Sequence, residues 1–185
     1  MSPKNLIVIS SLIILASLLL LFLMGRTPFY QNGPISLWSE DINSDQNSQQ
    51  LFDPYTFTHI IHGIGFYSLL WLFRKKIPLE QRFILALILE SSWEIIENTS
   101  FIIERYREAT LSLDYYGDSI FNSFGDILAF IFGFYLVNKK PLWLTISIVA
   151  LIEFLLLYFI RDNLSLNIIM LLFPLPGIQA WQLGG

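Results

Sequence analysis

Cysteine is absent from this 185-residue chain, and only 14% of its residues are charged. Without cysteine there is no thiolate metal site, iron–sulfur cluster, c-type haem or disulfide framework. Soluble domains carry roughly a quarter charged residues, so the low charge content speaks against a soluble enzyme and against a disordered protein. The net charge of −4 offers nothing to a phosphate backbone, which excludes a nucleic-acid binder.

Histidine is also scarce, and the common nucleotide motifs are missing. His59 and His62 stand three residues apart on one predicted helix, so they cannot hold one haem from both sides. The chain contains no GxGxxG, Walker or GxSxG pattern, which disfavours nucleotide-driven and serine-hydrolase functions. Haem, nucleotide and iron–sulfur cofactors are therefore not expected, whereas the binding of a divalent metal is compatible with the sequence.

Long apolar stretches dominate what is present, since 54% of the residues are apolar. A helix needs about 20 residues to cross a bilayer. Five stretches suit this length, namely residues 5–24, 57–73, 83–104, 118–137 and 142–160. The sequence therefore predicts an all-α, polytopic membrane helix bundle with five transmembrane helices, in which residues 1–185 form a single membrane domain.

Two further segments complete the predicted layout. Residues 25–56 form an outer polar segment, either a lid over the helix ends or a tether. The uncharged segment 164–181 contains three helix breakers, Pro174, Pro176 and Gly177, so a kinked sixth helix and a re-entrant segment both fit. With the N-terminus in the cytoplasm, all five lysines lie inside and only arginines lie outside, in line with the positive-inside rule.

Ionisable and amide side chains recur inside the predicted spans. An ionisable group at mid-bilayer costs about 2.5–3.5 kcal/mol on insertion scales and so marks a site or a pair. These residues are His59 and His62 in the second span, Glu90, Glu94, Glu97 and Asn98 in the third, and Asp118, Asn122 and Asp126 in the fourth. At about 1.5 Å per residue, His59 lies roughly 3 Å below its outer helix end, Asp126 roughly 12 Å and Glu90 roughly 21 Å. We therefore expect a polar cavity that opens to the outer face.

Two imidazoles with several carboxylates suit a divalent cation such as zinc, manganese or magnesium. The predicted metal ligands are His59, His62, Glu97 and Asp126. The predicted catalytic residues are Glu94, Glu97 and Asp126, because closely packed carboxylates suit general acid and base chemistry. In the alternative without a metal, His59 caps the interface and His62 only hydrogen-bonds Glu94 or Glu97.

Three arginines, Arg105, Arg107 and Arg161, stand at the predicted outer ends of the third and fifth spans. A guanidinium binds a carboxylate or a phosphate in a bidentate manner. The arginines therefore form either ion pairs that tie loops to helix ends or a clamp for a lipid headgroup or phosphorylated substrate. The predicted substrate-binding set also includes Asn98, Asn122 and Asp118.

Several motifs resemble a bacterial family of inner-membrane proteins. They are NSQQ at 47–50, DPY at 53–55, HIIHG at 59–63, WEIIENT at 93–99, ERYR at 104–107, SLDYYGDS at 112–119 and RDNL at 161–164. The family is catalogued as domain of unknown function 2585, and the resemblance implies a protein of the bacterial cytoplasmic membrane without an assigned activity. Its pattern has histidine where this chain has Gln50 and proline where it has Ser100. If that histidine is a ligand, Gln50 weakens the metal hypothesis.

The sequence leaves three functions open. The first is an enzyme that acts at the outer leaflet on a lipid or lipid-linked phosphate substrate. The second is a non-catalytic assembly factor or subunit of a complex with a partner membrane subunit. The third is a proton-coupled transporter with Glu90, Glu94 and Glu97 as a relay. The transporter ranks last because residues 83–89 are wholly apolar and offer no inner half-channel.

Overall fold

The computed structural model describes residues 1–110 and 112–184, and these residues form an all-α fold without a β-strand. An isolated bridge joins Trp38 and Phe52. The helices are α1 (Pro3–Leu23), α2 (Thr56–Trp71), α3 (Leu79–Glu97), α4 (Ser100–Ala109), α5 (Ile120–Leu136), α6 (Leu142–Ile160), α7 (Leu164–Leu172) and α8 (Pro176–Gln182).

Helices α1, α2, α5 and α6 begin and end within two residues of four of the predicted stretches. Local sequence explains where they start. Ser2 and Ser119 are N-caps whose hydroxyl oxygens accept from backbone N–H groups of the first turns of α1 and α5. Pro141 precedes the first turn of α6, where a missing N–H removes no helical hydrogen bond.

The prediction of one continuous helix over residues 83–104 is wrong, because α3 ends at Glu97 and α4 begins at Ser100. Thr99 has an extended backbone with ψ of 149°. The side chains of Asn98 and Thr99 donate to carbonyl oxygens in the last turn of α3, at 3.0 and 2.6 Å. Such side chains compete with the backbone for hydrogen bonds and so end a helix. Helix α4 is a separate element that packs against α7.

Two helices, α1 and α6, are long and apolar enough to cross a bilayer, and α5 is a shorter apolar helix. Both long helices leave most of their side chains exposed. In α1 the buried residues are Ser17 and Leu21, and in α6 the buried residue is Leu156. Large exposed apolar faces mark contact with a membrane or with another apolar surface. These two helices therefore indicate association with a membrane.

The tightest packing in the fold joins α2 to α5. Gly63 and Gly133 lie at the crossing, and a Cβ on either one would overlap a backbone carbonyl oxygen of the facing helix. Small residues allow helices to approach this closely. The buried apolar core surrounds the crossing and consists of Ile64, Tyr67, Phe83, Ala86, Leu87, Ile127, Phe130, Phe134 and Val137. The crossing fixes the distance between side chains on the outer halves of α2 and α5.

The outer polar segment packs over the start of α5. The carbonyl oxygens of Thr27 and Ser48 accept from the N–H groups of Ile120 and Ser119, at 2.8 and 2.9 Å. The first N–H groups of a helix have no partner within it, so these bonds satisfy donors that would otherwise stay unpaired. A Cβ on Gly125 would overlap the carbonyl oxygen of Leu51, which shows how closely the segment lies on α5. The segment is a packed cover and not a loose tether.

The C-terminal segment is a pair of short helices, α7 and α8, that turns back on itself. The carboxylate of Glu153 in α6 accepts from the first two N–H groups of α7, at 3.0 and 3.2 Å. The side chain of Gln182 donates to the carbonyl oxygen of Arg161 at 3.2 Å, so the chain returns to the end of α6. Residues 164–181 thus form two helices of nine and seven residues and not one continuous helix of spanning length.

Asp162 joins this returning segment to the start of α2. Its carboxylate accepts from the hydroxyl of Tyr55 at 3.1 Å and from the side-chain amides of Asn167 and Gln182 at 2.9 and 3.0 Å. The residue is 1% exposed. Burial raises the pKa of the Asp162 carboxyl to about 6, although hydrogen bonds from the Asn163 N–H, the Tyr55 hydroxyl and the Gln182 amide lower it.

We expect the stability of the fold to fall as Asp162 ionises. Its folded pKa of about 6 lies above the ordinary value of 3.8, so the protonated form favours folding. The destabilisation is absent below pH 3.8, grows as the pH rises between the two values and is complete above about 6. Thermal unfolding in detergent across this window should show a smaller decline in Tm for Asp162→Asn than for the parent. The exposed Asp41→Asn is the control, and equal declines in all three proteins would contradict the expectation.

Candidate functional site

A cavity of about 470 Å³ lies between α2, α3, α5 and α7, beneath the cover formed by the outer segment. Of the residues predicted from the sequence, six line it, namely His59, His62, Glu97, Asp118, Asn122 and Asp126. Asn98 donates to the Asp118 carboxylate at 2.7 Å and accepts from the Asp118 N–H at 2.7 Å. Polar side chains from three separate helices therefore converge on one place.

Glu90 holds both imidazoles. The Nδ1 atom of His59 lies 2.7 Å from Glu90 Oε1, and the Nδ1 atom of His62 lies 3.1 Å from Glu90 Oε2. Glu90 is fully buried in α3. An imidazole that donates from Nδ1 keeps its lone pair on Nε2, which is then free to bind a ligand. Glu94 and Glu97 are the partners of His62 expected from the sequence without a metal, and the partner in the structure is instead Glu90.

Two more carboxylates face His59. The Oε1 atom of Glu94 lies 3.3 Å from His59 Nδ1, and the Oδ2 atom of Asp126 lies 3.9 Å from His59 Nε2. One ligand atom from each of these three buried residues lies within 4.8 Å of the other two. Within the described residues, both carboxylate oxygens of Glu94 and Oδ1 of Asp126 have no hydrogen-bond partner. Buried charge without a partner is costly, and a bound cation would remove that cost.

These ligand candidates differ from the predicted set. Glu94 takes the place that the sequence analysis gave to Glu97, which lies one helical turn further out and lines the cavity. A second group of three with metal-ligand spacing consists of His59, His62 and Glu90. His59 belongs to both groups, so it is the central residue of the cluster.

Loop residues that the sequence analysis did not select complete the wall, among them Asp53, Tyr55 and Tyr115. The Asp53 carboxylate accepts from the N–H groups of Ser48 and Tyr55, each at 2.8 Å. Burial raises the pKa of the Asp53 carboxyl, while these N–H groups lower it. An aspartate before a proline at a helix start is typical of capping. This sequence pattern predicts a helix cap and contains no information that the same carboxylate also faces a cavity.

The three predicted arginines lie outside this cavity. Arg105 and Arg161 donate to backbone carbonyl oxygens of α7 and α8, at 2.8 and 3.2 Å. The guanidinium of Arg107 lies 5.5 Å from the ring centroid of Tyr116. No lysine or arginine lines the cavity in the described part of the chain. The arginines therefore tie loops and helix ends together through carbonyl and aromatic partners, and the structure does not bring them to the site.

Gln50 does not face the cavity either. Its side-chain oxygen accepts from the Ser36 N–H at 2.6 Å, and its amide nitrogen donates to the carbonyl oxygen of Pro34 at 3.1 Å. The position where the resemblance indicates histidine therefore holds the outer segment together. Glutamine at this position takes no ligand away from His59.

Comparisons with known proteins match the chain to a family whose description states no activity. The profile of the family described as "Protein of unknown function (DUF2585)" matches residues 21–184. A "UPF0314 protein" of Paracoccus denitrificans (strain Pd 1222) is 46% identical over 170 residues, covering 92% of this chain and 88% of the relative. A UPF0314 protein of Sphingopyxis alaskensis is 42% identical over 183 residues, covering 97% and 95%. No solved structure matches.

Proposed function

The chain belongs to the DUF2585 family, and we propose that it is a multi-pass, metal-dependent enzyme of the bacterial cytoplasmic membrane. In this proposal a divalent ion binds in the outer half of the membrane and serves chemistry on a lipid or lipid-linked substrate. The observation that carries the proposal is the cluster of His59, Glu94 and Asp126, whose ligand atoms lie within 4.8 Å of one another.

Five spanning helices, α1, α2, α3, α5 and α6, account for the proposed topology. The polar side chains of α2, α3 and α5 face one another, while the outward faces of these helices carry exposed apolar residues. With the N-terminus inside, Lys4 lies at the start of α1, and residues 74–76 and 139–140 lie at the cytoplasmic ends of α2 and α5. This arrangement satisfies the positive-inside rule and turns the cavity towards the outer face.

The donor set supports a metal ion that can take part in catalysis. One imidazole and two carboxylates suit zinc or manganese and leave a coordination position free for water or substrate. Glu90 hydrogen-bonds Nδ1 of His59, and carboxylates commonly orient the imidazole ligands of metals in this way. A divalent ion held in this way can polarise a carbonyl group or activate a bound water molecule.

The transporter alternative finds little support in the fold. Below Glu90, helix α3 buries Phe83, Ala86 and Leu87 in the apolar core. A proton relay through Glu90 would need polar groups that continue to the cytoplasmic side.

A non-catalytic role in a complex rests on one feature, the exposed apolar face of α6. Trp143 and Phe159 on this helix are 68% and 75% exposed. A partner membrane subunit could pack there, and lipid chains would cover the same face equally well.

Metal analysis of the purified protein tests the proposal. We expect about one equivalent of zinc or manganese per chain, as for a single site of this kind. His59→Ala should bind none, because His59 supplies the only imidazole of the cluster with Glu94 and Asp126. His62→Ala should keep the metal, since His62 is outside that cluster. The proposal fails if neither metal binds to the parent protein even after reconstitution with an excess of each.

A further inference from the structure

Part of the cavity wall, here called the apolar half, consists of apolar side chains and adjoins the cluster of imidazoles and carboxylates. Apolar side chains from α2, α3 and α7 form this half, namely Phe66, Leu89, Trp93, Ile96, Leu164, Ile168 and Leu171. The volume of about 470 Å³ is in the range of small-molecule sites, which measure roughly 300–1,000 Å³. The space therefore suits a molecule with one polar end and one apolar end.

The apolar half opens sideways between α3 and α7. Leu89, Ile96 and Ile168 line the cavity and are 44%, 48% and 48% exposed. Apolar side chains that line a cavity and keep this much uncovered surface indicate the rim of an opening. Leu89 stands eight residues before the end of α3, about 12 Å along the helix axis. If α3 spans the membrane as proposed, this rim faces lipid chains and not water.

The polar half is strongly acidic. Asp53, Glu97, Asp118 and Asp126 line it, and in the described residues no lysine or arginine does so. One divalent ion offsets only part of this negative charge. An anionic headgroup in such a place would meet like charges in a medium of low dielectric constant. An uncharged or cationic headgroup would not be repelled by these carboxylates.

We propose that the cavity takes a lipid whose chain enters from the bilayer between α3 and α7 and whose uncharged or cationic headgroup reaches His59. The reacting centre in this proposal rests on the metal site proposed above, whereas the position of the lipid chain rests on the rim and on the proposed membrane span of α3. The substrate class is thereby narrowed to lipids whose headgroup is uncharged or carries only a cationic amine, and lipids with a phosphate in the headgroup are disfavoured.

Photo-crosslinking in lipid nanodiscs tests this proposal with two probes that carry the same diazirine-bearing chains. One is a diacylglycerol, which is uncharged, and the other is a phosphatidic acid, which is anionic. The variants are Leu89→Trp at the rim and Ile88→Trp as its control. Both residues are 44% exposed on α3, and Leu89 alone lines the cavity. On α7, Ile168→Trp and its neighbour Ile169→Trp form a second matched pair, in case the first rim variant does not fold.

The diacylglycerol probe should label peptides that contain Trp93 and Ile168. We expect this labelling to fall roughly tenfold in Leu89→Trp, as for a loss of binding free energy near 1.4 kcal/mol, and to stay unchanged in Ile88→Trp. Equal labelling of the rim and control variants, or stronger labelling by phosphatidic acid, would overturn the proposal. Metal content measured on the same samples separates the two proposals. Labelling without bound metal refutes the metal site alone, and bound metal without labelling refutes the lipid opening alone.

Discussion

Glu94→Gln is expected to abolish metal binding, whereas Glu97→Gln should leave it intact. Glu94 is fully buried, lies 3.3 Å from His59 and has no hydrogen-bond partner for either carboxylate oxygen within the described residues. The amide of glutamine has nearly the same shape and lacks the negative charge that a cation needs. Losing a supporting residue outside the ligand set typically weakens metal binding 10–100-fold, so we expect the loss of a ligand to weaken it by more than about 100-fold.

The two glutamate variants make a matched pair because both residues stand on the same face of α3, one helical turn apart. Metal affinity is measured by titration of the apo-protein with zinc and manganese. Thermal unfolding of the apo-proteins separates loss of a ligand from loss of the fold. Glutamine keeps the size of the buried Glu94 side chain and introduces no charge, so Glu94→Gln should not lower the Tm of the apo-protein. If Glu97→Gln lost the metal and Glu94→Gln kept it, the ligand set predicted from the sequence would be correct instead.

Gly63→Ala is expected to be strongly destabilising. A Cβ at this position would overlap the carbonyl oxygen of Phe130 and crowd the backbone nitrogen of Phe134. Backbone atoms of a helix cannot rotate away as a side chain can, so α2 and α5 must move apart. Overpacking typically costs 1–3 kcal/mol, and we expect a value of about 3 kcal/mol at this crossing. The same movement would separate His59 on α2 from Asp126 on α5 and so lower the metal content.

Gly65→Ala is the control on the same helix, because a Cβ at Gly65 has nothing within 4 Å. Alanine is a better helix former than glycine, so this variant should be as stable as the parent or slightly more stable. Thermal unfolding in detergent and metal analysis are carried out on both variants. Similar Tm values for the two would show that the crossing of α2 and α5 is looser than described.

The length of the apolar runs was enough to predict four of the long helices, but it failed between α3 and α4. Apolar residues continue on both sides of Asn98, so hydrophobicity alone does not reveal the break there. The break depends on hydrogen bonds from Asn98 and Thr99 and on the pairing of Asn98 with Asp118. Asp118 is 20 residues away, and a periodic pattern contains no information about such a contact.

Six of the polar residues selected from the sequence line the cavity, but the way they pair inside it could not be predicted. The count of residues from the helix ends placed His59 at roughly 3 Å and Glu90 at roughly 21 Å below their outer ends. Their side chains are in fact 2.7 Å apart. The two depths are comparable only if the outer ends of α2 and α3 lie at the same height. They do not, because α3 continues for seven residues beyond Glu90 while α2 starts just before His59. The outer segment covers the start of α2, which lies below the end of α3.

That cover also imposes an order on how the protein is made. The outer segment leaves the ribosome well before α5, yet Gln49 accepts a hydrogen bond from Ser119, which follows it by 70 residues. During translation the segment therefore cannot make its contacts with α5 until α5 has been synthesised. Assembly of the site must be a late event in biogenesis, and nascent chains that stop before residue 119 should leave the segment open to proteases.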